Sequence, residues 1–211
     1  LENIGKVKTI GFCITDNQIE ENRKMETGEI RRKLTPLAQD TVILAFGDSL
    51  TYGTGATAEN SYPAQLERII RRRVVNAGIP GEDTENGLAR LPKMLDGHHP
   101  SLVILCHGAN DLKQGLGDLQ ASENIREMIR IARRRNVDVL LLGIPYPTVF
   151  SAKPHFYAKI ADEFSLLFEG NVVANVLIDP SLKSDSIHPN ARGYRLIAEA
   201  IAELLFKGGL L

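Results

Sequence analysis

Cysteine, long apolar runs and an excess of one charge are all scarce in this sequence. The two cysteines, Cys13 and Cys106, are far apart and make no metal-ligand pattern. Nothing in the sequence supports a disulfide between them, and they do not fix a compartment. Cys106 ends an apolar run and reads as a small buried hydrophobe. No apolar run reaches ~18 residues, so no transmembrane helix is expected. The net charge of −1 leaves no basic excess to mark a nucleic-acid binder. No signal peptide is visible. The first residue is Leu1 rather than Met, so a targeting segment removed ahead of it is compatible with the sequence. Gly53 and Gly55 suggest a phosphate loop, but no Gly-Lys-Ser/Thr follows them. His98-His99 precede Pro100, and zinc needs more ligands than are visible there.

What is present is an ordinary globular balance, 43% hydrophobic and 24% charged over 211 residues, which argues against disorder and for one sizeable core. From residue 41 onward, strand and helix signals alternate. Strands are expected over 42–46, 73–76, 101–106, 137–144 and 172–177. Helices are expected over 62–72, 84–95, 122–135, 154–168 and 191–206. Leu66, Ile69 and Ile70 share one face of the first helix, and Leu88, Leu91 and Leu95 one face of the second. The run 101–106 is apolar without a break, as in a strand buried on both faces. This pattern is that of an α/β chain: a five-stranded parallel sheet between two helical layers, a three-layer αβα sandwich. Sites in such sheets lie beyond the carboxyl ends of the strands.

Residues 1–40 break the alternation. They read as an N-terminal extension, with strand character over 6–15 and a charged stretch over 17–34. The simpler reading is loose packing. The sharper one is an added edge strand or an exchanged arm, which would make a homodimer.

The sequence after each strand carries the chemistry. Val42-Ile43-Leu44-Ala45-Phe46 runs into Gly47-Asp48-Ser49-Leu50, which presents a serine at a tight turn. The second strand leads into Asn76-Ala77-Gly78-Ile79-Pro80-Gly81-Glu82-Asp83-Thr84, and the third into His107-Gly108-Ala109-Asn110-Asp111. Asp185-Ser186-Ile187-His188-Pro189-Asn190 precede the last helix. A serine hydroxyl needs a base at neutral pH. An imidazole titrates near the working pH, so His188 can supply one. Asp185, three residues earlier, can reach the far nitrogen of that ring and orient it.

In order and wording these four blocks resemble the GDSL, or SGNH, hydrolase superfamily of serine esterases and lipases. The resemblance spans about residues 41–206 of the chain. Gly87-Leu88-Ala89-Arg90-Leu91-Pro92 look most like the bacterial multifunctional thioesterase/lysophospholipase/arylesterase group. The resemblance implies a flavodoxin-like SGNH-hydrolase domain over 41–211. It implies a catalytic Ser49, His188 and Asp185, and an oxyanion hole from the Ser49 and Gly81 backbone N–H groups and the Asn110 amide. It implies ester hydrolysis through an acyl-enzyme, with no metal or organic cofactor. The partner is then a small acyl ester, thioester or lysophospholipid, and the family points to the periplasm or secretion without excluding the cytoplasm. Thr51 stands where the α/β-hydrolase elbow has its last glycine, which favours the SGNH arrangement.

Each residue also has a plainer role open to it. Ser49 alone could cap a helix, His188 could lie on the surface, and Asn110 could serve a turn. Asp179 rivals Asp185 as orienter but precedes Pro180, which suits a turn. Asp48 and Asp111 read as structural, bonding nearby backbone. His107 adjoins the site and is given no catalytic role. Arg71-Arg72-Arg73 and Arg133-Arg134-Arg135 sit at expected helix ends, where they complement the helix dipole. Leu112, Leu116, Pro145, Tyr146 and Phe150 are candidates for an acyl groove. Two other functions stay open: a carbohydrate O-acetylesterase, and a non-catalytic binding domain on the same fold.

Overall fold

The computed structural model describes residues 35–115, 117–147 and 149–211. Cys13, Leu116 and almost all of the N-terminal extension lie outside the described residues. At the described end of that extension, Leu37 is buried and its N–H bonds the Leu210 carbonyl.

Five parallel strands form the sheet: β1 (Val42–Gly47), β2 (Arg73–Gly78), β3 (Leu102–Cys106), β4 (Asp138–Leu142) and β5 (Leu167–Glu169). Their order is β2-β1-β3-β4-β5. β1, β3 and β4 are buried almost throughout, whereas edge strand β2 mixes buried and exposed positions. That difference follows from place: inner strands are covered on both faces and need apolar residues at every position.

The helices are α1 (Ser49–Tyr52), α2 (Tyr62–Ile70), α3 (Thr84–His98), α4 (Ala109–Gln114), α5 (Asp118–Arg134), α6 (Phe156–Glu163), α7 (Val172–Ile178) and α8 (Ala191–Lys207). Helix α2 packs on α8, and α8 on α7, while α5 packs on both α3 and α6. With the right-handed crossovers that parallel strands prefer, the first group covers one face of the sheet and the second the other. The chain is thus the expected αβα sandwich. Because the strand order reverses at β1 and β3, the loops after these two strands diverge and leave a crevice between them.

The expected fifth strand is a correction. Residues 172–177 lie in helix α7, and β5 overlaps the end of what reads as the preceding helix and runs past it. Helix α6 stops because Ser165 adopts φ 49°. The Ser165 and Leu166 N–H groups then bond back to the Asp162 and Ala161 carbonyls. This is a Schellman ending built on serine instead of the usual glycine. The chain then pairs Leu167, Phe168 and Glu169 with β4. The Glu169 carboxylate accepts the Asn171 and Val172 N–H groups and starts α7. Buried Val173, Val176 and Leu177 give that helix its inward face. Packing here overrides the strand preference of β-branched residues.

Candidate active site

β1 ends at Gly47, and the chain turns at once into α1. Asp48 caps that helix by accepting the Leu50 N–H at 3.0 Å. It is fully buried, and burial raises its pKa. The cap places Ser49 as the first residue of α1, half-buried at the carboxyl edge of the sheet.

The loop before α8 folds back over this edge. Lys183 bridges to Pro189, and the Ser184 N–H bonds the His188 carbonyl. The Asn190 side chain donates to the Ser181 and Lys183 carbonyls and accepts the Arg192 and Gly193 N–H groups. One residue therefore staples the loop and caps α8. The Tyr194 hydroxyl donates to the Thr54 carbonyl at 2.8 Å, tying α8 to the loop after α1.

This frame brings Ser49, His188 and Asp185 into one chain of contacts. His188 Nε2 lies 3.1 Å from Ser49 Oγ, and His188 Nδ1 lies 2.8 Å from Asp185 Oδ2. The other Asp185 oxygen accepts the Ile187 and His188 N–H groups, each at 2.8 Å. Partial burial works against the Asp185 charge. Hydrogen bonds from the His188 ring and those two N–H groups outweigh it and hold the pKa below its usual value. An ionised carboxylate only accepts, so Nδ1 carries the ring proton and Nε2 turns a lone pair toward the serine hydroxyl. Asp179, the rival orienter, accepts the Ser181 N–H and serves a turn.

Asn110 stands in the first turn of α4, lining the same cleft as Ser49 and His188. Its amide donates to the Glu82 carbonyl at 2.9 Å and approaches Asp48 Oδ2 at 3.4 Å. Gly81 adjoins Glu82 in the turn after β2. At φ 82° it adopts a backbone that suits glycine, with no heavy atom within 4 Å of where a Cβ would be. Asp111 is structural but reaches much farther than nearby backbone: it accepts both the N–H and hydroxyl of Thr84 at the start of α3.

Beside Ser49 the cleft has a cavity volume of about 40 Å³ and apolar walls from Leu50, Ile144, Pro145, Phe150, Leu177 and Ile187. Phe150 and Pro145 thus line the cleft that holds Ser49. Leu112 packs partly buried against the core and does not line this cleft. Tyr146 lines a neighbouring cavity of about 640 Å³ that shares Ile144, and its hydroxyl bonds Asp118 at 2.6 Å. Ile144, Leu177 and Ile187 went unread in the sequence. Ile187 had a signal, since it separates Asp185 from His188.

A buried polar cluster also escaped notice. Arg90 Nε and Nη2 grip the Glu82 carboxylate at 2.7 and 2.6 Å, and His107 Nε2 lies 3.1 Å from it. The arginine runs meet plainer needs: Arg72 bonds the Leu37 and Ile70 carbonyls, Arg134 pairs with Glu127, and Arg135 with Asp96.

A family model described as GDSL-like lipase/acylhydrolase matches residues 45–196, which contain all four blocks. The chain belongs to that family. It is an acyl hydrolase of the GDSL type, and the expected likeness to the bacterial thioesterase and arylesterase group holds. It is 31% identical over 176 residues to the thioesterase 1/protease 1/lysophospholipase L1 of Escherichia coli K12, covering 80% of this chain and 84% of that one. It is 30% identical to an arylesterase of Vibrio mimicus, covering 78% of this chain and 88% of the relative. The psychrotrophic esterase EstA of Pseudoalteromonas sp. shares the fold at a TM-score of 0.71 and 23% identity, covering 80% of this chain and 98% of that one. Among the described residues of this hydrolase, no helix is long and apolar enough to cross a membrane.

Proposed function

We propose that this chain is a serine esterase that works through an acyl-enzyme on Ser49. The observation that carries the reading is the continuous contact from Ser49 Oγ through His188 to Asp185, at 3.1 and 2.8 Å. Ser49 Oγ attacks the acyl carbonyl while His188 Nε2 takes its proton. Asp185 holds the ring and stabilises the imidazolium that forms. The oxyanion accepts from the Ser49 and Gly81 N–H groups and from Asn110 Nδ2. One amide hydrogen of Asn110 is fixed by the Glu82 carbonyl, and the other, only weakly engaged by Asp48 at 3.4 Å, is the one left to bond the oxyanion. His188 then protonates the leaving group, and water repeats the sequence to release the acid.

The apolar cleft walls support an acyl group beside Ser49. With the relatives named above, they favour short- to medium-chain esters, thioesters or lysophospholipids as substrates. Ser49→Ala is expected to abolish turnover of a p-nitrophenyl ester while the circular dichroism spectrum is unchanged. Retained turnover rejects the assignment. In a chain-length series, activity should extend beyond the acetate; activity confined to acetate points instead to an O-acetylesterase.

A further inference from the structure

The Glu82 side chain is buried and lies between the loops that carry two of the oxyanion donors. Its backbone follows Gly81 directly, and its carbonyl fixes the Asn110 amide at 2.9 Å. Its carboxylate sits in the Arg90 fork at 2.7 and 2.6 Å. That fork is itself anchored. Arg90 Nη2 donates to the Ala77 carbonyl of β2 at 3.0 Å, and the guanidinium lies 4.2 Å from the centre of the Phe46 ring of β1. A bidentate arginine held on both sides fixes the carboxylate in position and direction.

His107 supplies the second anchor. It is fully buried between β3 and Asn110, with Nε2 at 3.1 Å from Glu82 Oε2. Its backbone carbonyl accepts the Tyr157 hydroxyl at 2.8 Å. Its Nδ1 is buried without a hydrogen-bond partner among the described residues. A protonated ring would bury an unpaired Nδ1–H donor, so the neutral Nε2–H form fits the site. Gly87 on α3 makes room for the ring, since a Cβ there would lie 2.4 Å from Nε2.

We propose that Glu82, held by Arg90 and His107, is a positioning residue that sets the oxyanion hole. Its backbone places the Gly81 N–H and aims the Asn110 amide, and its side chain keeps that backbone from drifting. This rests on reading Ser49, Gly81 and Asn110 as oxyanion donors. Removing one such donor outright costs ~10²–10³ in kcat. Misplacing two should cost less, about 10- to 100-fold.

The test uses the purified chain with Glu82→Gln, His107→Leu and His107→Gln. Each is assayed for kcat and KM on a p-nitrophenyl ester and for affinity toward a trifluoromethyl ketone, which forms a tetrahedral adduct. Glu82→Gln and His107→Leu should lower kcat and ketone affinity in parallel, about 10- to 100-fold, with KM within about twofold. His107→Gln, which keeps a donor near Nε2, should recover most of the loss. If Glu82→Gln does not fold, Arg90→Lys takes its place, since the Arg90 side chain is only 18% exposed but borders solvent. Unchanged kcat and ketone affinity overturn the proposal. So does a fall in kcat that disappears once rates are scaled to the folded fraction. Labelling of Ser49 by a fluorophosphonate in the parent separates the two readings. A parent that labels beside indifferent variants rejects positioning alone, and a parent that never labels rejects both.

Discussion

Asp185 divides its oxygens between two duties. Oδ1 takes two backbone N–H groups and Oδ2 takes the His188 ring. Asp185→Asn keeps an oxygen for the backbone but turns an NH₂ toward Nδ1. The ring must then move its proton to Nε2, where it blocks uptake of the serine proton. The expected result is a kcat loss on the order of 10³–10⁴ with little change in KM; near-native kcat contradicts the orienting role. Glu82 makes a prediction about acid stability. Burial opposes its charge, but the bonds from His107 and Arg90 win and hold the pKa at about 2, against an ordinary 4.5. A pKa depressed by folding stabilises fully above the unfolded value and is lost as pH falls through the folded one. The window is therefore pH 4.5 down to 2. In urea titrations across that window, Glu82→Gln should lose stability less steeply than the parent, by up to about 1.4 kcal/mol per pH unit. Equal slopes would show that this carboxylate carries no such linkage.

At the scale of elements, the loop from 183 to 190 determines whether His188 meets Ser49. Asn190 both caps α8 and ties the loop to the Ser181 and Lys183 carbonyls. Asn190→Ala should cost about 2 kcal/mol of stability and also lower kcat. Asn190→Asp keeps the cap but cannot donate, so it should retain most of the stability while kcat still falls. Thermal melts beside initial rates separate the two, and a rate that simply follows stability in both variants counts against the loop's role. The elements also show what was legible in the sequence. β1, β3 and β4 were readable because burial on both faces demands unbroken apolar runs. β5 and α7 were not. The stop of α6 rests on Ser165 at positive φ where the usual signal is glycine, and the β-branched run in α7 is helical only because of what it packs against.

At the scale of the molecule, the strand order explains why residues from distant blocks meet. The order β2-β1-β3-β4-β5 brings the ends of β1 and β3 side by side, so Ser49 and Asn110 share one cleft. The contacts among Ser49, Asp185 and His188 were legible from sequence, because a serine nucleophile asks for a base and an orienter, whereas Asn110 was singled out only through the family resemblance. The Glu82, Arg90 and His107 cluster was illegible for the opposite reason: its role depends on burial and on three segments meeting, neither of which spacing reveals. The central claim is that Ser49 is an activated nucleophile. Intact-mass spectrometry after exposure to a fluorophosphonate tests it most directly. The account predicts one adduct, mapped to Ser49, absent from Ser49→Ala and formed far more slowly in His188→Ala. An unlabelled native protein, or an adduct that persists in Ser49→Ala, would contradict it.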